Sequence, residues 1–296
     1  MNFGLKRFKK LVIIGLILAL TMTTLAGCSG KNSEPEKTDE SKGTINIGMV
    51  NWAECVAVSN LWKVMLEDQG YEVELTQLDA APLYVGLDKG DLDVFFDSWL
   101  PITHESYWNK YKDNLDDYGI WYKEDAKIGI VVPKYVDIDS IEELVASKDK
   151  FNGEIIGIDP GAGIMKASNA ANADYGLGFE VVQGSEAAMM AALEKAYKNE
   201  EWIAITGWNP HWMFAKYDLK YLKDDKLSFG EAEEIHTIAN KNFTGEYPEV
   251  AKMMKNFAMT DAEIGSLEAL IVEGMDPQEA AKKWMTENEE TVNSWM

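Results

Sequence analysis

The sequence predicts an α/β protein built as two similar halves with a ligand cleft between them. Three observations carry that expectation. Strand-like and helix-like segments alternate along most of the chain, which is βαβ material with mostly parallel sheets. The alternation falls into two series of roughly a hundred residues each, a common size for a domain. Extended segments near 125–133 and 225–240 then carry the chain from one series to the other and back. The first domain is expected over 44–128 plus 230–296 and the second over 129–229.

Thr44 to Val50 has a strand pattern, and Val58, Leu61, Trp62, Met65 and Leu66 form the i, i+3, i+4, i+7, i+8 stripe of a helix. Tyr71 to Leu78 alternates as a second strand, a short helix follows near Leu83 to Leu87, and Asp93 to Phe96 reads as a third strand. A helix around His104 to Tyr111 leads into an extended apolar stretch from Gly119 to Pro133. Ser140 with Glu143 has the spacing of a capping box opening a helix. Glu154 to Ile158 is a strand, Pro160-Gly161 turns into a helix, and Phe179 to Val182 is a strand again. Ser185 caps a helix to Ala196, Trp202 to Thr206 is the next strand, and Glu234 to Ala239 is a strand returning the chain. Three helices finish the sequence, starting near Pro248, at Thr260 with Glu263 as a capping box, and at Asp276-Pro277, an N-cap followed by proline.

The N-terminus reads as an address. Met1 to Gly27 carries Lys6, Arg7, Lys9 and Lys10, an apolar run from Leu11 to Leu20 and then small residues, a secretory signal pattern. Ten apolar residues are too short for a permanent membrane helix. The segment ends in Leu25-Ala26-Gly27-Cys28, which resembles the bacterial lipobox, where the cysteine is lipidated and becomes the first residue. An ordinary signal peptide that contains a cysteine is the plainer reading. Residues 28–43 are rich in Lys, Glu, Ser and Asp without apolar periodicity, which suits a flexible tether. The expected location is extracytoplasmic, with the membrane touched through the lipid alone.

Composition removes several function classes. The chain has 50 acidic and 28 basic residues, a net charge of −22 that becomes −26 once 1–27 is removed. Nucleic acid is therefore not an expected partner. Arg7 is the one arginine, so the mature chain has no guanidinium fork for a carboxylate or phosphate. His104, His211 and His236 are the whole histidine stock, which argues against a multi-histidine metal centre. No metal or other cofactor is expected. Cys55 stays alone in the mature chain, as a small buried hydrophobe. A secreted hydrolase would need an activated nucleophile, yet G-x-S-x-G and H-E-x-x-H are both missing, so no catalytic residue is assigned and the chain is not expected to be an enzyme. A surface adhesin would explain an anchor but would not need aromatic residues gathered at strand ends.

Tryptophan is the surplus, with ten residues. Trp52 follows the first strand, Trp99 the third, and Trp208 the strand before Gly207. In open α/β sheets the crevice at the carboxyl ends of strands binds ligands. Indoles gathered there offer negative π faces and few hydrogen-bond demands, which suits a quaternary ammonium whose charge is spread over methyl groups. Core packing explains the same spacing equally well. Trp62 and Trp284 lie on helical stripes and are core, and Trp108, Trp121, Trp202, Trp212 and Trp295 are read as packing. Asp159-Pro160-Gly161-Ala162-Gly163-Ile164 is a glycine turn between strand and helix, where backbone N–H groups favour an anion. As a nucleotide fingerprint it is incomplete, because Lys166 stands at the third glycine position. A single carboxylate matches its few free amides better than a phosphate, and His104, just inside a helix near a strand end, could donate to that carboxylate.

Three strings make the pattern specific: Asn51-Trp52-Ala53-Glu54, Trp99-Leu100-Pro101-Ile102-Thr103-His104 and Gly207-Trp208-Asn209-Pro210-His211-Trp212. They resemble the glycine betaine and proline betaine binding proteins of ABC importers over about residues 44–296. The resemblance implies a two-domain, periplasmic-binding-protein-like (type II) fold with a hinge, working as a monomer that delivers an osmoprotectant to a transporter permease. It also implies roles: Trp52, Trp99 and Trp208 as the ammonium cage, His104 on the carboxylate, and Gly163 and Ile164 as the amides that bind it. Some distant relatives place a cage tryptophan inside the Pro-Gly turn, where this chain has Ala162, which points to a subgroup. Choline-binding relatives replace part of the carboxylate site, so choline and carnitine stay open as ligands, as do contacts from Glu54 or His211.

Overall fold

The computed structural model describes residues 41–296. The expected signal peptide, Cys28 and most of the expected tether lie outside the described residues. Among those described, no helix is long and apolar enough to cross a membrane.

The chain opens with β1 (Thr44–Met49), whose Ile45 and Ile47 are fully buried, and Trp52 is the N-cap of α1 (Ala53–Asp68). β2 (Glu72–Gln77), α2 (Ala80–Lys89), β3 (Val94–Leu100), α3 (Glu105–Tyr111) and β4 (Leu115–Ile120) follow. The next strands and helices are β5 (Lys127–Pro133), β6 (Glu154–Ile156), α4 (Gly163–Asp174), β7 (Glu180–Val182), α5 (Glu186–Lys198), β8 (Ile205–Asn209), α6 (Met213–Lys216) and β9 (Leu219–Tyr221). Finally β10 (Glu234–Asn240) precedes α7 (Phe243–Glu246), α8 (Pro248–Asn256), α9 (Asp261–Val272), α10 (Pro277–Glu287) and α11 (Glu289–Trp295).

Two five-stranded sheets result, in the orders β2-β1-β3-β10-β4 and β7-β6-β8-β5-β9. Each sheet centres one lobe. The chain leaves the first sheet after Ile120, enters the second at Lys127, and returns between Tyr221 and Glu234. Those two crossings run side by side: Ala126 and Glu233 exchange backbone hydrogen bonds of 2.9 and 2.8 Å. β2-β1-β3 and β7-β6-β8 pair in parallel, but β10 runs antiparallel to β3 and β4, and β5 antiparallel to β8 and β9. The expectation of mostly parallel sheets is therefore corrected. In each sheet the strand that crosses between the lobes enters reversed, because it arrives from the other lobe and not through a helix on its own face.

The helix starts follow their side chains. Ser185 Oγ accepts from the Ala188 N–H, Thr260 and Glu263 satisfy each other as a capping box, and Asp276 accepts from the N–H groups of Gln278 and Glu279 ahead of Pro277. Ser140 and Glu143 also bond, but the segment they open, Glu142–Phe151, is a 3₁₀ helix. The strand expected over Trp202 to Thr206 lies at Ile205–Asn209, since its ladder is set by β5, with Ile130 opposite Thr206 and Ile128 opposite Trp208. Trp202 packs instead against Phe151, under the Lys150 ammonium. Trp99 and Trp208 are therefore the closing residues of strands and not residues that follow them. Trp62, Trp121, Trp284 and Trp295 are buried in the core, and Cys55 is a buried free thiol.

Candidate functional site

The two sheets are built to one plan: β1, β2 and β3 correspond to β6, β7 and β8, with β10 and β4 matched by β5 and β9. Trp99 in β3 thus has its counterpart in Trp208 of β8. Each is followed by a residue and a cis-proline, Leu100-Pro101 in one lobe and Asn209-Pro210 in the other. The first helix of each lobe starts at the cleft, and its N-cap is Trp52 for α1 and Ala162 for α4. Trp52 and Ala162 are therefore equivalent positions of the two lobes.

The elements meet at one cavity. It is lined by Trp52, Trp99 and Thr103 from the first lobe and by Gly163, Ile164 and Trp208 from the second, with Glu54, Ile128, Ile158 and Ala162 completing the wall. All three tryptophans are buried, none more than 5% exposed. Five of the six residues singled out in the sequence thus share one wall. His104 does not reach it. It is fully buried one layer back, its ring parallel to Trp52 within 17° at 5.8 Å between centroids.

The His104 ring has a defined state. Its Nδ1 accepts the Trp99 N–H at 3.0 Å, which leaves the proton on Nε2, and among the described residues Nε2 has no partner. Burial pushes its pKa down to about 3, so the ring is neutral near pH 7. A buried donor with nothing to donate to costs stability, so it marks a place where a partner is expected. The N–H groups of Gly163 and Ile164, in the first turn of α4, likewise have no acceptor among the described residues. At the start of a helix such donors sit in a positive field. The first N–H of α1 is already occupied: Ala53 donates at 2.9 Å to Glu186 of the opposite lobe. One lobe's helix start takes a protein carboxylate, and the other's is left open.

The lobes are held closed on each other. Trp52 Nε1 donates to Asp159 at 3.0 Å, Trp208 Nε1 to Glu54 at 2.9 Å, and the Tyr107 hydroxyl to the Gly161 carbonyl at 2.9 Å. Gly163 is pressed so tightly that a Cβ there would lie 2.1 Å from the Thr103 carbonyl oxygen. The Thr103 loop is in turn fixed by the Glu233 carboxylate, which accepts from the Ile102 and Thr103 N–H groups and from the Thr103 hydroxyl.

Behind the cavity lies a set of carboxylates. Glu54 is held well above the usual carboxylate range by burial, with the charges of Asp97, Glu186 and Glu268 adding to it and the Trp208 hydrogen bond opposing. Burial raises Asp97 to about 7. Glu268 is also pushed up by burial and then by the charge of Glu186, with the Trp212 backbone opposing. His211 bonds Glu186 through Nε2 at 3.2 Å and is buried away from the cavity lining. Thr103, Ile128, Ile158, Asp97 and Glu186 were not singled out in the sequence. Only Asp97, two residues before Trp99 in a wholly buried strand, offered a signal, as a charge inside an apolar run. Among the described residues no cluster of His, Cys, Asp and Glu has the geometry to hold a metal ion. What the cavity wall offers is three indoles together with N–H groups of α4 that have no acceptor among the described residues.

Comparison with known proteins gives a consistent picture. Residues 43–287 match the family model of the substrate-binding domain of ABC-type glycine betaine transport systems. Over 150 residues the chain is 42% identical to the glycine betaine/carnitine transport binding protein GbuC of Listeria monocytogenes, a stretch that spans half of each chain. Among solved structures, lactococcal OpuAC in its closed-liganded conformation complexed with glycine betaine is 38% identical, with a TM-score of 0.81 over 86% of this chain and 99% of that one. An ABC-transporter choline binding protein in complex with choline is 27% identical, with a TM-score of 0.80 over 88% of this chain and 93% of that one.

The state of His104 is open to direct measurement. Nitrogen-15 spectra of the imidazoles should show His104 as the Nε2–H tautomer with no titration between pH 5 and 8. His236 should titrate above its ordinary value: burial opposes its charge, but the hydrogen bond and charge of Asp117 outweigh it. The unfolded His104 protonates near 6.5 and the folded one only near 3, so its contribution to stability is full above 6.5 and shrinks as pH falls through that window. A His104 that titrates near 6.5 in the folded protein would contradict the buried geometry.

Proposed function

From the premise that the chain belongs to the family of substrate-binding domains of ABC-type glycine betaine transport systems, we propose that it captures glycine betaine or proline betaine outside the membrane and delivers it to the permease of an importer. The observation that carries this reading is the convergence of Trp52, Trp99 and Trp208, drawn from both lobes, on the cavity that also exposes the start of α4. A trimethylammonium group has no donor to satisfy and is attracted to indole faces, each contributing about 0.5–2 kcal/mol. The ligand carboxylate then lies on the N–H groups of Gly163 and Ile164, and for the Nε2–H of His104 to join them its ring must come forward on binding from the layer behind the wall. Those three donors do the work for which the mature chain has no arginine. The ligand is bound and released without chemical change, so the protein is not an enzyme. Binding by both lobes favours the closed form, since only that form makes both sets of contacts. The mobile parts are 44–128 with 230–296 on one side and 129–229 on the other. The protein acts as a monomer anchored outside the cell membrane by lipid on Cys28, with 28–43 as tether.

Titration calorimetry on residues 44–296 tests the site. Trp52→Ala, Trp99→Ala and Trp208→Ala should each weaken betaine binding at least about tenfold. Trp284→Ala, which removes a core indole stacked on Trp295, should instead cost about 3–5 kcal/mol of stability. Choline lacks the carboxylate and should bind about 1–3 kcal/mol more weakly than betaine. His104→Ala should harm betaine more than choline. Normal betaine binding by all three cage variants would refute the cage, and choline binding tighter than betaine would move the substrate to choline. The anchor has its own test: Cys28→Ser should appear in the medium or remain unprocessed, and a variant still processed and membrane-bound would rule out the lipid.

A further inference from the structure

Every indole of the proposed cage donates its N–H to a carboxylate. Trp52 Nε1 reaches Asp159 Oδ2 at 3.0 Å, Trp99 Nε1 reaches Asp97 Oδ1 at 2.8 Å, and Trp208 Nε1 reaches Glu54 Oε2 at 2.9 Å. The core indoles differ. Trp121 donates to a backbone carbonyl and Trp284 to a serine hydroxyl, while Trp62 Nε1 has no partner. Among the described residues none of the three carboxylates forms an ion pair with a lysine. Glu54 and Asp97 are wholly buried, and Asp97 Oδ2 has no partner. Buried carboxylates without a cation are costly, and this protein places them directly behind the rings that face the cavity.

We infer that Glu54, Asp97 and Asp159 are positioning and specificity-determining residues, which fix the three indoles and raise the negative charge on their faces so that the site selects a cation over a neutral group of the same shape. The inference rests on the cage reading above. The physics is that of polarised hydrogen bonds: an N–H donating to a carboxylate shifts electron density into its ring, and a charge-assisted bond is stronger and more directional than a neutral one. Asp97 and Asp159 lie outside the cavity wall, and Glu54, which is part of it, accepts the Trp208 N–H on Oε2, so the three act through the indoles. Two of the three bonds, Trp52 to Asp159 and Trp208 to Glu54, also span the lobes. Trp52 and Trp208 are therefore set in place by these bonds only on closure, whereas Trp99 is held within its own strand. Burial raises both Glu54 and Asp97, the charge of Asp97 adding to the first and that of Glu186 to the second, so a cation in the cavity would favour the charged form of each.

The test compares two ligands of one shape, glycine betaine and 3,3-dimethylbutanoate, in which carbon replaces the ammonium nitrogen. Binding is measured for the wild type, Glu54→Gln, Asp97→Asn and Asp159→Asn. Each amide oxygen can still accept the indole N–H, so the geometry is retained while the charge is removed. The expected result is a loss of about tenfold in betaine affinity in each variant, the scale of one partly screened charge, with dimethylbutanoate unchanged. Nitrogen-15 spectra of the indole N–H groups should show the partnered resonance of Trp208, Trp99 or Trp52 shifting in its own variant alone, which establishes that each variant is folded. Equal losses for the two ligands, or none, in folded variants would overturn the inference and leave the cage standing. A wild type that does not prefer betaine to dimethylbutanoate would instead refute the cage reading itself.

Discussion

A permanent positive charge wrapped in methyl groups can leave water only for a surface that is negative and asks for no hydrogen bond in return. That constraint explains the materials of the cavity. Carboxylates facing the methyl groups would be desolvated with nothing to accept from, whereas indole faces are negative without that need. Indoles bring a demand of their own, because each buried N–H requires an acceptor. Here all three acceptors are carboxylates, and two of them, Asp97 and Asp159, lie outside the cavity wall. The described residues contain no arginine, so in the proposed site an anion is met by neutral donors, the N–H groups of Gly163 and Ile164 at the start of α4.

Closure is tied to the same residues by the doubled architecture. Each lobe contributes one strand with tryptophan as its next-to-last residue and one helix that begins at the cleft. The helix starts are used differently: Glu186 of the second lobe occupies that of α1, whereas the loop around Thr103 of the first lobe packs against Gly163 and leaves the first N–H groups of α4 without an acceptor among the described residues. The crossings report on this arrangement. Glu233 pairs with Ala126 through its backbone and holds Ile102 and Thr103 through its carboxylate, so a segment that crosses between the lobes also places the loop that meets Gly163. Only glycine fits at 163, because any Cβ would enter the Thr103 carbonyl.

Much of this was legible in the sequence, and what was not has a common cause. Trp52, Trp99 and Trp208 stood out because they interrupt no helical stripe and sit where strands stop, which is a local property. The capping side chains of Ser185, Thr260 and Asp276 are local as well, and each does what its spacing implies. Strand direction is not local. β5 and β10 are apolar runs like their neighbours, and only the path of the chain between lobes decides that they run antiparallel. Register is not local either: Trp202 to Thr206 is as apolar as a strand should be, yet pairing with β5 shifts the strand to Ile205–Asn209. The withdrawal of His104 behind Trp52 depends on Tyr84, Phe95 and Tyr107 packing around its ring, contacts that no spacing announces. Two of the indole–carboxylate pairings escaped notice for the same reason, since Glu54 meets Trp208, and Asp159 meets Trp52, only across the cleft.

The central claim is that one ligand is gripped by both lobes at once. Small-angle X-ray scattering on residues 44–296, without and with saturating glycine betaine, measures this most directly. The account predicts a smaller radius of gyration with betaine, as the open form is drawn into the closed arrangement in which Trp208 meets Glu54 and Trp52 meets Asp159. A radius unchanged at saturation, with binding confirmed on the same sample, would contradict it.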